Sequence, residues 1–68
     1  MEFRSEIDAV VSMFFFNDGD AVNQGDAVMM LEIMKMTYPI EAPASGTISF
    51  SVQLGETVSA GTVLGNIT

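Results

Sequence analysis

The chain has 68 residues, nine of them acidic and two basic, no cysteine and no histidine, and a formal net charge of −7. One domain with a modest core, near the lower limit for folding without staples, is what that length allows. Without Cys or His there are no disulfides or thiolate zinc sites, and neither the commonest general base nor the commonest metal ligand is present; the acidity excludes nucleic acid and anionic membrane surfaces, which select Lys and Arg.

The longest apolar runs, at 13–16 and 28–31, are too short to span a bilayer, so no membrane insertion is expected. No secretory signal is expected either, because MEFRSE puts charges where an apolar segment should stand.

No window carries a helical period. Short apolar runs cut by glycine predict strands instead. The first is expected over 3–7 and the second over 10–16. The second ends in Phe14-Phe15-Phe16, where one face buries Phe14 and Phe16 and exposes Phe15, or the reverse. Turns at Asn17-Asp18-Gly19-Asp20 and Asn23-Gln24-Gly25-Asp26 flank a very short strand at 20–22. Strands over 28–33 and 36–41 follow, then a turn at Pro43-Ala44-Ser45-Gly46. In 47–52, Ile48, Phe50 and Val52 alternate with Thr47, Ser49 and Ser51, the pattern of a half-buried strand. Turns containing Gly55 and Gly61 bracket another short strand at 56–58, and a last strand is expected over 63–67. Many short strands joined by regular turns make an all-β sandwich or barrel.

The chain also repeats itself. Gly19-Asp20-Ala21-Val22, Gly25, Val28 and Leu31 match Gly55-Glu56-Thr57-Val58, Gly61, Leu64 and Ile67 (19 to 55, 25 to 61, an offset of 36). Carried backwards at that offset, Phe14 and Phe16 meet Phe50 and Val52, while Val10 meets Gly46 and Ile7 meets Pro43. Two halves that each lack a full core are expected to pack face to face about a pseudo-twofold. Asp20, Asp26 and Glu56 then have local work, accepting backbone N–H groups in turns where glycine takes the positive φ. No carboxylate pair stands out as an acid/base couple.

One stretch breaks the turn rules. Between the strands at 28–33 and 36–41 lies Glu32-Ile33-Met34-Lys35-Met36, with no Gly, Asn or Asp at the bend. Two-residue hairpins usually require those residues, and broken local rules often mark functional or strained sites. Lys35 is the single lysine, flanked by methionines that make adaptable contact surfaces. An amine in water is almost wholly protonated at neutral pH, so a lone lysine at a tip is no catalyst by itself. It suits modification by another enzyme.

Together these segments resemble the biotinyl (biotin carboxyl carrier) domain of biotin-dependent carboxylases and decarboxylases, and the small free-standing biotin/lipoyl attachment proteins. The matching pattern is Gly-Asp-x-Val-x-x-Gly-Asp-x-Val, Glu-Ile-Met-Lys-Met, Ile-x-Ala-Pro-x-x-Gly-Thr-Ile and Gly-Glu-Thr-Val-x-x-Gly-x-Val-Leu, strongest over 17–68 of a domain spanning 1–68. The resemblance implies a flattened β-barrel (a barrel-sandwich hybrid) of two four-stranded antiparallel sheets with pseudo-twofold symmetry. It implies covalent biotin on Lys35, ligase recognition through Glu32, Ile33, Met34 and Met36, and structural turns at Gly19, Gly25, Gly46, Gly55 and Gly61. No metal and no catalytic residue are implied.

The partners implied are a biotin protein ligase and biotin carboxylase and carboxyltransferase or decarboxylase subunits, between which the arm carries carboxylate. The expected location is cytoplasmic, or the mitochondrial matrix or plastid for a domain taken from a larger organellar enzyme. Ile33 departs from the family, which usually has a small residue there, and a protruding loop is absent between Gly19 and Gly25. Two alternatives stay open: a lipoyl carrier, whose lysine usually follows an acidic residue rather than Met34, and an unmodified interaction module of the same fold.

Overall fold

Alternation of apolar and polar residues places the chain as strands, and a computed structural model describes all of residues 1–68. The eight strands are β1 (Glu2–Arg4), β2 (Ala9–Phe14), β3 (Ala21–Val22), β4 (Ala27–Ile33), β5 (Met36–Glu41), β6 (Gly46–Phe50), β7 (Thr57–Val58) and β8 (Val63–Ile67). They form two antiparallel four-stranded sheets, ordered β1-β8-β6-β3 and β5-β4-β2-β7. No strand exceeds seven residues, so neither sheet covers a core alone, and the two pack face to face as a flattened barrel-sandwich.

The two sheet orders are one order written twice. Exchanging β5 with β1, β4 with β8, β2 with β6 and β7 with β3 turns one sheet into the other. The core obeys the same exchange: Val22 and Val58, Val28 and Leu64, Leu31 and Ile67 are all buried. Phe14 and Phe50 meet across the axis, ring centroids 4.3 Å apart.

Hydrogen bonds reproduce the symmetry turn by turn. Asp20 accepts the Asn17 N–H at 2.8 Å, and Glu56 accepts the Gln53 N–H at 3.0 Å. Asp26 accepts the Asn23 N–H at 2.9 Å, and Thr62 accepts the Ser59 N–H at 3.0 Å. The acidic residues of the turns are therefore structural, as the sequence suggested, and a threonine hydroxyl does the fourth job. Gly19, Gly25, Gly55 and Gly61 have φ between 82° and 93°, and the site of a Cβ at each is open. These glycines are needed for backbone conformation, not for space.

At one place the structure corrects the sequence alignment. A β-bulge between Val11 and Met13 sets two residues of β2 against one of β4. Before the bulge the offset becomes 37, since Val11 exchanges backbone hydrogen bonds with 55 and 56 just as Ile48 does with 19 and 20. The counterpart of Gly46 is thus Ala9, not Val10; they sit opposite Val22 and Val58 respectively. A Cβ on Gly46 would lie 2.5 Å from the Thr68 carbonyl oxygen and 2.9 Å from Ile67 Cγ2. Close approach of backbone requires the glycine here, and the small Ala9 is its twin.

Three strand ends also differ from expectation. The first strand stops at Arg4 rather than 7, because the buried Ser5 hydroxyl donates to the Ile7 carbonyl and accepts its N–H, drawing the chain into a local turn. The strands expected to reach 16 and 52 end at Phe14 and Phe50. Phe15 is 48% exposed while Phe14 and Phe16 pack against the core, which decides the phenylalanine triplet.

Ile48 is wholly buried at the centre of this arrangement. Ile48→Ala is expected to cost about 2–5 kcal/mol, against a total on the order of 3–10 kcal/mol for a chain of this size. Urea titration followed by circular dichroism should show the variant largely unfolded or its midpoint sharply lowered. A midpoint near that of the parent would mean that the core is not shared between the halves as described.

Candidate modification site

The site is built by β4 and β5, the best-paired strands of the molecule. Their register runs Ala27 with Glu41, Met29 with Ile40, Met30 with Pro39, Leu31 with Tyr38, Glu32 with Thr37 and Ile33 with Met36. Only Met34 and Lys35 are left to reverse the chain. Their φ angles are 48° and 69°, both left-handed, as a two-residue turn that follows the twist of its strands demands. Each such residue with a Cβ carries roughly 1–2 kcal/mol of strain. They are the only non-glycine residues in the chain with positive φ. The expected breach of turn rules at this bend is therefore real, and the ladder beneath holds it.

Exposure follows from that geometry. Met34 is 91% exposed and Met36 61%, and Lys35 is exposed between them. Glu32 and its cross-strand partner Thr37 face solvent. No carboxylate lies within 4 Å of the Lys35 amine; the one ion pair joins Arg4 to Glu2 at 2.9 Å. Ile33 behaves differently from its neighbours: it is half-buried and packs against the core, so most of it supports the tip from below.

Tyr38 was not singled out by the sequence. Two residues beyond Met36, on the same face of the edge strand, it directs its hydroxyl at the Met36 sulfur, 4.0 Å away. Strand periodicity was the available signal. Elsewhere no group of three or more acidic residues is placed to hold a metal ion.

Chemically, the tip offers one primary amine, reachable from most directions and unattached to any acid or base of its own chain. Such a group has the accessibility that acylation by a second enzyme requires. An acyl arm attached there extends from a corner that packing has already fixed, so the residues present fit the covalent cofactor implied by the sequence pattern.

Comparison with known proteins bears on which arm. Residues 4–67 match the family model described as "Biotin-requiring enzyme", further towards the N-terminus than the sequence pattern reached. The chain is 36% identical over 64 residues to the "Biotinylated protein TB7.3 homolog" of Mycobacterium leprae, covering 93% of this chain and 90% of that one. It is 40% identical over 45 residues to the biotin carboxyl carrier protein of acetyl-CoA carboxylase from Solanum lycopersicum, covering 65% of this chain and 64% of that protein. Among solved structures it superposes on the urea carboxylase of Kluyveromyces lactis with a TM-score of 0.91 at 28% identity, covering all of this chain (100%) but 6% of that one. The lipoyl domain of the Azotobacter vinelandii 2-oxoglutarate dehydrogenase complex gives a TM-score of 0.82 at 24% identity, covering 100% of this chain and 95% of that one, a likeness of fold.

Replacing Met34-Lys35 by Asn-Gly should relieve the turn. Stabilisation of about 1–3 kcal/mol is expected, with the thermal midpoint rising by about 4–8 °C for each kcal/mol. A midpoint that stays level or falls would show that the tip carries no strain.

Proposed function

Since the chain belongs to the family of biotin-requiring enzyme domains, we propose that it is a biotin carboxyl carrier domain acylated on Lys35 by a biotin protein ligase. The observation that carries this reading is the lone lysine at the apex of a strained, protruding two-residue turn. The ligase would take one proton from the Nζ ammonium; the freed nitrogen lone pair would then form the bond to the activated carboxyl carbon of biotin as the bond to the activating group breaks, that group leaving with a second Nζ proton and an amide remaining. An ammonium becomes neutral, and the chain gains one unit of negative charge. Biotin, when bound on Lys35, would supply a carrier for carboxylate between a biotin carboxylase and a carboxyltransferase or decarboxylase.

The domain's own residues do no chemistry in this scheme. β4 and β5 hold the lysine outward, and the core keeps that corner from folding inward. Tethering such a corner near two active sites raises the effective concentration of its arm at both. Glu32, Ile33, Met34 and Met36 are the residues the ligase reads around Lys35, with Ile33 half-buried against the core beneath the tip. Met34 occupies the position before the lysine where lipoyl carriers usually have an acidic side chain, which favours biotin over lipoate.

Intact mass after co-expression with a biotin ligase is the direct test. One biotin adduct is expected on the parent and none on Lys35→Ala; a lipoyl adduct, or an unmodified parent, would overturn the reading. Ile33→Ala should be acylated faster if the isoleucine side chain holds the tip away from the ligase, and equal initial rates would remove Ile33 from recognition.

A further inference from the structure

The six methionines of this cysteine-free chain carry its only sulfur atoms, and the fold sorts them sharply. Met29 is fully buried at 0% and Met30 half-buried, while Met13, Met36, Met1 and Met34 are 49%, 61%, 65% and 91% exposed. The extreme value belongs to the residue directly before Lys35. Met34 stands at the turn with a left-handed φ of 48° and contributes nothing to the core cluster. The neighbouring Met36 sulfur has the Tyr38 hydroxyl against it, whereas no donor meets the Met34 sulfur.

We propose that Met34 is a reversible oxidation site that controls acylation of Lys35; the control, though not the oxidation itself, rests on Lys35 being the acylated residue. The oxidant is a hydroperoxide. A sulfur lone pair attacks the terminal peroxide oxygen, an S–O bond forms, the O–O bond breaks, and the peroxide leaves as water or an alcohol. Sulfur is oxidised by two electrons and the peroxide reduced by two. A thiol-dependent sulfoxide reductase reverses the step, its thiols supplying the electrons.

Two structural facts give the modification its effect. Sulfoxide at position 34 touches no core residue, so the fold survives, whereas oxidation at Met29 would break the interior and is blocked by burial. At the tip, a flexible apolar side chain becomes polar and chiral beside the amine, which alters the surface a ligase has to close over before the amide forms. Loss of dispersion contact and a newly desolvated polar oxygen both act against that closure.

The test oxidises the folded chain with limiting hydrogen peroxide, removes the peroxide, and locates added oxygen by peptide mass spectrometry. Met34 is expected to oxidise first and Met29 last, with an unchanged circular dichroism spectrum. Initial biotinylation by a purified ligase should then fall by about tenfold and recover after sulfoxide reductase treatment, tenfold being about 1.4 kcal/mol. In Met34→Leu, the rates with and without peroxide should be equal to each other. Oxidation of Met13 or Met36 ahead of Met34, an unaltered rate after Met34 has oxidised, or persistent peroxide sensitivity in Met34→Leu would each overturn the proposal. Untreated parent that takes no biotin sinks the carrier reading and the control of acylation with it; normal biotinylation indifferent to peroxide sinks the oxidation proposal alone.

Discussion

Two residues close the β4–β5 hairpin, and the ladder on either side leaves them no third. Everything distinctive about this chain depends on that limit. With glycine or asparagine at the bend the turn would be relaxed, but the corner would lose the methionine and the lysine that define its chemistry. The strain is affordable because β4 is anchored in the core, with Val28, Met29 and Leu31 all inaccessible to solvent. Packing fixes the strand, the strand fixes the register, and the register forces φ positive at Met34 and Lys35. Local propensity is overridden at one point by tertiary structure, and that point is where the single lysine stands.

Much of this was legible beforehand. Gly-Asp and Gly-Glu turns announced both the repeat and the turn hydrogen bonds, because a carboxylate after a positive-φ glycine has few other local uses. The absence of turn formers between residues 33 and 36 exposed the tip for the same reason. The bulge in β2 was not legible: an inserted residue leaves no mark when Val10, Val11 and Met13 are all plausible strand residues, so the alignment ran one position out before it. Gly65 was also missed. It has no positive φ and stands in a strand, yet a Cβ there would come within 2.7 Å of the Phe3 ring and strike the Ser49 carbonyl. Close approach between β8 and its neighbours is a property of packing, and no single segment encodes it.

The chain divides labour between a scaffold and a point. No histidine or cysteine is present, and the acidic side chains of the turns are committed to backbone N–H groups. What the tip itself presents is a single lysine amine and the two thioethers flanking it. A carrier benefits from this poverty, since an arm attached at one place only can be loaded in one way only. On the proposed function, the surface around the tip is what a modifying enzyme reads.

The Phe14 and Phe50 rings, 4.3 Å apart on the pseudo-twofold axis, tie the two copies of the repeat to each other's history. Twin positions far from an axis drift independently, each judged by its own surroundings. Here each ring is the other's surroundings: shrinking one leaves a gap that its sibling borders, and the loss belongs to neither copy alone. Changes along this seam have to be made in matched steps, so the centre of symmetry is where the internal repeat should stay most visible while the rims of the molecule lose it.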